Sequence, residues 1–421
     1  MREIAAQVAV IGGGPAGLAA ALAARQEGAR KIILIERDEE LGGILQQCIH
    51  SGFGLKVLGE ELTGPEYAEV FIDQVAASDI EVLLDTMVMS IDPQRVITVM
   101  NPAQGTLRIR AESIVLAMGC RERTRGQIII PGTRPAGIFT AGTAQRLVNL
   151  EGFLPGKKAV ILGSGDVGLI MARRLTLEGM EVSMVLEAMP YPGGLERNLR
   201  QCLYDFGIPL HLQHSVIEVM GRSRVEGVKY ARVDEKLRPI PGTEREVECD
   251  TLILSVGLIP ENEIAREAGV ELDPATGGAV VDQDLQTSIP GVFACGNVLQ
   301  VHDLVDNVTL EAQRAGRSAA RYALVGEKAG RKPSLSVRAG QGMRYVLPQR
   351  LSLEEGSVTF CGRPDKPYAS GRIVLEDGDR ILWSTKVKKC KPSEMLSFTV
   401  EGIRWGELKE GVKLAIEEGG E

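Results

Sequence analysis

The chain has no C-x-x-C pair: its cysteines, Cys48, Cys120, Cys202, Cys249, Cys295, Cys361 and Cys390, are odd in number and scattered. This argues against a disulfide framework, a zinc site and a cysteine-ligated iron–sulfur cluster, and for a reduced, cytoplasmic setting. His211, His214 and His302 show no metal-ligand spacing. No stretch is long and apolar enough to span a bilayer. Positive charge is not in excess. A net charge of −8 and a pI near 5.4 argue against nucleic acid or an anionic membrane as the main partner. At 421 residues the chain exceeds one core, so two or three domains are expected.

What is present begins with Val8–Gly17, VAVIGGGPAG, a buried strand running through Gly12-x-Gly14-x-x-Gly17 into a helix. Gly12 permits the tight turn, Gly14 leaves room for a pyrophosphate, and Gly17 lets helix and strand lie close. Pro15 and Ala16 sit in the first helical turn, whose unpaired N–H groups face two phosphates. The apolar run that follows resembles a signal-peptide core, but its glycine spacing favours a dinucleotide-binding fingerprint. A second strand, Lys31–Ile35, ends in Glu36, nineteen residues after Gly17, where a carboxylate meets a ribose hydroxyl; Arg37 follows.

The pattern restarts at Lys157–Gly168, KKAVILGSGDVG, with Gly163-x-Gly165-x-x-Gly168 enclosing Asp166 and Val167. Its next strand, Glu181–Leu186, ends in Glu187, again nineteen residues beyond the last glycine. Two fingerprints with one internal offset, 151 residues apart, make two dinucleotide-binding domains.

Between and after them, Leu62–Ala77 has helical spacing, Glu81–Ser90 reads as one strand, and Val96–Ile109 as a hairpin turning near Pro102–Gly105. Ser113–Gly119 is a further buried strand, mirrored by Thr251–Gly257, and Ser215–Val247 suggests a meander. Asp306–Val325 has helical spacing with Asp306 or Asn307 as cap. From about Lys332 strand-like runs alternate with Gly, Pro and Asp, which suggests a small all-β appendage. Its cluster of Lys386, Lys388, Lys389 and Lys391 is most simply a solvated face. The expected class is α/β: two Rossmann-like three-layer domains plus the C-terminal β domain.

Two fingerprints, Ala117-Met118-Gly119 and TSIPGVFACGN (Thr287–Asn297), in that order, resemble the pyridine nucleotide–disulfide oxidoreductases over roughly residues 1–330. The resemblance implies a discontinuous FAD-binding domain (1–123 and 256–330) and an NAD(P)-binding domain (124–255); the C-terminal β domain (331–421) is a candidate surface for docking a partner. FAD is then held by Gly12, Gly14, Pro15, Ala16, Gly17, Glu36, Arg37, Gly43, Ile44, Ala117, Met118, Gly119, Gly296 and Asn297. NAD is held by Gly163, Gly165, Asp166, Val167, Gly168, Glu187 and Gly257. Asn297 stands where the family usually has Asp.

Glu187, followed by Ala188 and Met189 with no compensating Arg, favours NAD(H) over NADP(H). The helix after the return motif, if its N-terminus faces the flavin, stabilises an anionic reduced ring by on the order of 0.3–1 kcal/mol. The run GGILQQCIHSGFGL and the β tail are similar to the NAD(P)/FAD subunits that accompany glycerol-3-phosphate dehydrogenase. They are also similar to the α subunits of sarcosine, opine and cyanide-forming glycine oxidases. Counted from Gly42-Gly43, Leu45 and His50 occupy the places of the family's redox cysteines, so disulfide reduction is not expected. Cys48 and His50 are the candidate catalytic side chains, each weighed against a plain reading: a small buried hydrophobe and an inert histidine.

The leading expectation is an FAD-dependent NAD(H) oxidoreductase in a hetero-oligomer with a second flavoprotein or dehydrogenase subunit. The alternatives are a stand-alone NADH oxidase that reduces oxygen and a nucleotide-binding regulatory or assembly subunit.

Overall fold

Long apolar strands followed by glycine turns and alanine-rich helices build the first of two units. The computed structural model describes residues 2–325, 334–353, 356–408 and 411–418. One unit comprises Met1–Gln46, Ser51–Cys120 and Pro260–Glu421; the other comprises Gln47–His50 and Arg121–Ile259. The boundary expected at 330/331 lies outside the described residues.

In the first unit a seven-stranded sheet runs Glu81–Leu83, Ile32–Ile35, Arg2–Ile11, Gly105–Leu116, Val96–Asn101, Met87–Ile91. The seventh strand, Val292–Ala294, pairs in parallel with the end of Gly105–Leu116. That twelve-residue strand does two jobs. Its first half closes an antiparallel hairpin with Val96–Asn101, and its second half is a buried parallel strand between Arg2–Ile11 and Val292–Ala294. The hairpin arm and the separate strand expected at Ser113 are thus one element. The strand expected over Glu81–Ser90 is instead two, because Asp85 turns the chain with a left-handed φ of 49°. The helix Gly64–Ala76 is started by a capping box in which Glu66 accepts from the Thr63 N–H at 2.8 Å.

The helix Pro15–Gln26 is buried nearly all round, since Ala19, Ala20, Ala21, Ala23 and Ala24 leave no polar face. It packs against the helix Val305–Val325 through small residues, Ala312, Ala315, Gly316 and Ala319. Gly316 lies on the Ala20 backbone: a Cβ built there would stand 2.1 Å from the Ala20 carbonyl oxygen.

The second unit repeats the plan. Its parallel sheet runs Ile138–Thr140, Thr251–Leu254, Lys158–Leu162, Glu181–Glu187, Leu210–Leu212. The expected meander is the antiparallel sheet His214–Met220, Gly227–Arg232, Arg245–Glu248. Both units are Rossmann-like, as the expected fold class requires.

The C-terminal strands form a five-stranded and a three-stranded sheet around buried Phe360 and Trp405, with Trp383 stacked on Phe398 at 4.7 Å between centroids. They pack within the first unit: the Gln349 N–H donates to the Val281 carbonyl at 3.1 Å, and Arg363 donates to the Val301 carbonyl at 2.9 Å. Tyr345, Leu347 and Cys361 share that unit's main core. Lys386, Lys388 and Lys389 are exposed.

Gly316→Val is expected to lower stability by roughly 1–3 kcal/mol or more through overpacking against backbone that cannot yield. A thermal melt checks this, and an unchanged midpoint would show that the two helices separate freely.

Candidate nucleotide sites

In the first unit the strand Arg2–Ile11 delivers the chain into a turn only glycine can make. Gly12 has φ 103°, and a Cβ on it would meet the Ala117 carbonyl oxygen at 2.4 Å. A Cβ on Gly17 would stand 1.7 Å from the Gly12 oxygen. Gly14 differs: a Cβ there would meet only the Gly43 Cα, at 3.9 Å, and the backbone is not left-handed. The helix then starts with Pro15 at N1 or N2 and no acidic residue in its first turn, which leaves the terminus electrically suited to an anion.

Of the predicted residues, Glu36, Gly43, Ala117 and Gly296 come into contact with this turn and the start of its helix. Glu36 is buried and its Oε2 accepts from the Gly13 N–H at 2.5 Å, while Oε1 accepts from the Asp38 N–H at 2.9 Å. The carboxylate therefore ties the second strand to the glycine loop. The Gly42 N–H donates to the Gly13 oxygen at 2.9 Å and sets Gly43 beside Gly14. Arg37 and Ile44 are exposed. Met118 packs at the edge of the core, and the Gly119 oxygen accepts from the Glu261 N–H at 3.1 Å. Gly296 abuts the fingerprint helix, a Cβ there falling 2.7 Å from the Ala16 Cβ. Asn297 accepts from the His302 N–H at 3.0 Å and donates to the Cys120 sulfur at 3.6 Å.

The second unit builds the same turn. Gly163 has φ 99° with its Cβ position 2.0 Å from the Ser255 oxygen, and Gly168 is pressed on the Ser255 Cβ at 2.7 Å. Gly165 is again the open one, with Ser255 Oγ its nearest neighbour at 3.5 Å. Glu187, buried like Glu36, takes the Ser164 N–H at 2.9 Å and hydroxyl at 2.6 Å on one oxygen and the Met189 N–H at 2.9 Å on the other. Asp166 is engaged within the protein: its Oδ1 accepts from the Leu195 N–H at 2.8 Å and the Asn198 amide at 2.6 Å. Val167 packs at the edge of the unit's core, and the Gly257 oxygen accepts from the Arg123 N–H at 3.0 Å.

Segment 47–50 belongs to the second unit. Gln47 donates to the Gly142 oxygen at 2.9 Å, and Cys48 lies 3.9 Å from the Gln145 amide oxygen. Burial pushes the Cys48 thiol up to about 12. His50 is half-buried. Burial also raises the thiols of Cys202, Cys249 and Cys361 to about 11, and those of Cys295 and Cys390. No cysteine is in a disulfide. Among the described residues no group of His, Cys, Asp and Glu has metal-site geometry.

The cap expected at Asp306 or Asn307 is corrected, because the helix begins at Val305. Buried Asp306 instead accepts from the N–H groups of Gly54, Lys56 and Val57 at 2.9–3.2 Å, closing the 54–57 loop. Spacing gives no sign of a second buried acid, Glu311. It accepts from the Gly296 N–H at 2.8 Å, the Gln300 amide at 2.7 Å and His302 Nε2 at 3.1 Å. Despite complete burial, which opposes ionisation, His302 and these donors hold its carboxyl below the usual range. Glu311 thereby anchors the return turn bearing Asn297.

Both turns fit a dinucleotide. Each has one glycine, Gly14 or Gly165, that packing does not demand, with space where its side chain would be. The model for the family described as pyridine nucleotide-disulphide oxidoreductase matches residues 6–319. One of the opine oxidase subunits of Agrobacterium tumefaciens is 25% identical over 68% of the chain and 60% of its own length. In Pseudomonas putida, the ferredoxin–NAD(+) reductase of the benzene 1,2-dioxygenase system is 29% identical over 70% of the chain and 67% of its own. Among solved structures, T. acidophilum thioredoxin reductase superposes with a TM-score of 0.63 at 24% identity, covering 77% of this chain and 100% of that one.

A thiol pKa raised by burial to about 12 disfavours a Cys48 thiolate at neutral pH. Alkylation of Cys48 in the native protein is expected to stay slow from about pH 6 to pH 9. Rapid labelling with an apparent pKa near the ordinary thiol value would contradict the burial described.

Proposed function

We propose that this chain, which belongs to the pyridine nucleotide-disulphide oxidoreductase family and hence to the FAD-dependent NAD(P)H oxidoreductases, passes electrons between NAD(H) and a partner redox subunit without a cysteine pair of its own. The observation that carries this reading is the duplicated glycine turn, each copy locked to a buried carboxylate. FAD, when bound, accepts a hydride from a nicotinamide and releases electrons onward.

The first unit holds FAD. Gly12, Gly14, Pro15, Ala16 and Gly17 present the helix terminus to the pyrophosphate, and Glu36 fixes the loop beneath it. Arg37, Gly43, Ile44, Ala117, Met118 and Gly119 line the same site, with Gly296 and Asn297 supplied by the return turn. The second unit holds NAD(H) through Gly163, Gly165, Val167, Gly168, Glu187 and Gly257, with Asp166 positioning the 193–195 turn. The Glu187 charge opposes a 2′-phosphate, which supports NAD(H) over NADP(H).

The raised thiols, with Leu45 and His50 at the redox-cysteine places, support transfer that does not run through a disulfide. Cys48 then acts by packing, and His50 is left as the candidate polar contact of that segment. The opine oxidase and dioxygenase-system relatives are by name parts of larger assemblies, which supports a hetero-oligomer with a second flavoprotein or dehydrogenase subunit. The C-terminal strands are its docking surface, and glycerol 3-phosphate oxidation is one reaction at the far end.

Anaerobic addition of NADH to the FAD-loaded chain should bleach the flavin band, with NADPH slower by about tenfold or more, a difference of roughly 1.4 kcal/mol. Aerobic oxygen consumption by the single chain should be far slower than that bleaching. Flavin left oxidised by both nucleotides would sink the proposal, and rapid oxygen turnover would replace the partner with oxygen.

A further inference from the structure

The duplication reaches further than the two fingerprints. Gly42-Gly43 begins six residues after Glu36, and Gly193-Gly194 begins six residues after Glu187. In the first unit the pair lies on the glycine loop: a Cβ on Gly43 would stand 3.1 Å from the Gly14 Cα. In the second unit the glycine on the loop is the first of the pair and not the second: the Gly193 Cβ position is 3.6 Å from the Gly165 nitrogen and 3.7 Å from the Ser164 carbonyl.

The turn is pinned at both ends. The Gly193 N–H donates to Ser164 Oγ at 2.8 Å, and the Leu195 N–H donates to Asp166 Oδ1 at 2.8 Å. Ser164 Oγ in turn donates to Glu187, so the turn, the loop and the strand-end carboxylate are one hydrogen-bonded unit.

The two glycines of the turn differ in why they are glycine. A Cβ on Gly194 would collide with the Leu169 side chain at 2.5 Å and crowd the Ser164 oxygen at 3.0 Å. Packing thus favours glycine at position 194. A Cβ on Gly193 makes only ordinary contacts, and its backbone is outside the left-handed region. Neither packing nor conformation demands glycine there. The same holds for Gly165 beside it and for Gly14 in the first unit.

We propose that Gly193 forms the second wall of the nucleotide cradle in the second unit, and that its missing side chain leaves room for the pyrophosphate of a dinucleotide alongside the edge where it meets Gly165. This rests on reading that unit as the NAD(H) site. Since the Gly193 N–H is already given to Ser164, the residue acts by leaving space, and Ser164 and Asp166 are positioning residues for the turn.

The test measures binding of NADH and of ADP-ribose to the FAD-loaded chain carrying Gly193→Ala or Gly193→Val. Both ligands carry the pyrophosphate, so both should weaken together, by about tenfold for alanine and more for valine. FAD content and melting temperature should match the parent for Gly193→Ala, which decides the matter if valine perturbs the fold. Parent-like affinity of the alanine and valine variants, or weakening of NADH alone with ADP-ribose unaffected, would overturn the inference. Failure of the parent chain itself to bind NADH would instead overturn the assignment of the second unit.

Discussion

Everything at the two candidate sites depends on one close approach: the first glycine of each fingerprint lies against the carbonyl that ends a neighbouring strand. Gly12 rests on Ala117 and Gly163 on Ser255 at separations no side chain survives. That contact turns the chain abruptly out of the sheet and aims the following helix terminus at the space over the loop. The third glycine then closes helix on strand by abutting the first, most tightly in Gly17 on Gly12. The middle glycine is under no such pressure. The distinction between glycines demanded by packing and glycines left open locates where a ligand would lie.

The carboxylates are themselves part of what holds this geometry. Glu36 and Glu187 each satisfy backbone N–H groups of their own glycine loop and of the residue two positions on. Burying a charge is costly unless it is paired or hydrogen-bonded, and these donors supply that compensation. Glu311 and Asp306 follow the same rule at the return turn and the 54–57 loop. Four buried acids thus organise loops that glycine alone would leave loose.

The two sheets, both glycine turns and the strand-end acids are legible in the sequence because local spacing dictates them. The equal offset from Gly17 to Glu36 and from Gly168 to Glu187 is a geometric demand visible without coordinates. Asp306, Glu311 and Asp166 are not legible in their actual roles, because their partners lie far along the chain or in another turn. Asp306 lies in the first turn of its helix and closes a loop some 250 positions earlier. The long strand Gly105–Leu116 reads as two pieces because its halves have different neighbours and hence different hydrophobic patterns. Gly193 stands at the same offset as Gly42, but only its contact with Gly165 distinguishes it from an ordinary loop glycine.

If the two glycine turns are separate dinucleotide sites, one polypeptide holds FAD and NAD at the same time. Native mass spectrometry of the FAD-loaded chain mixed with NAD measures it most directly. One FAD and one NAD on the same chain, with FAD retained as NAD is added, is the predicted result. NAD appearing only on chains that have lost FAD would contradict this and mean a single shared site.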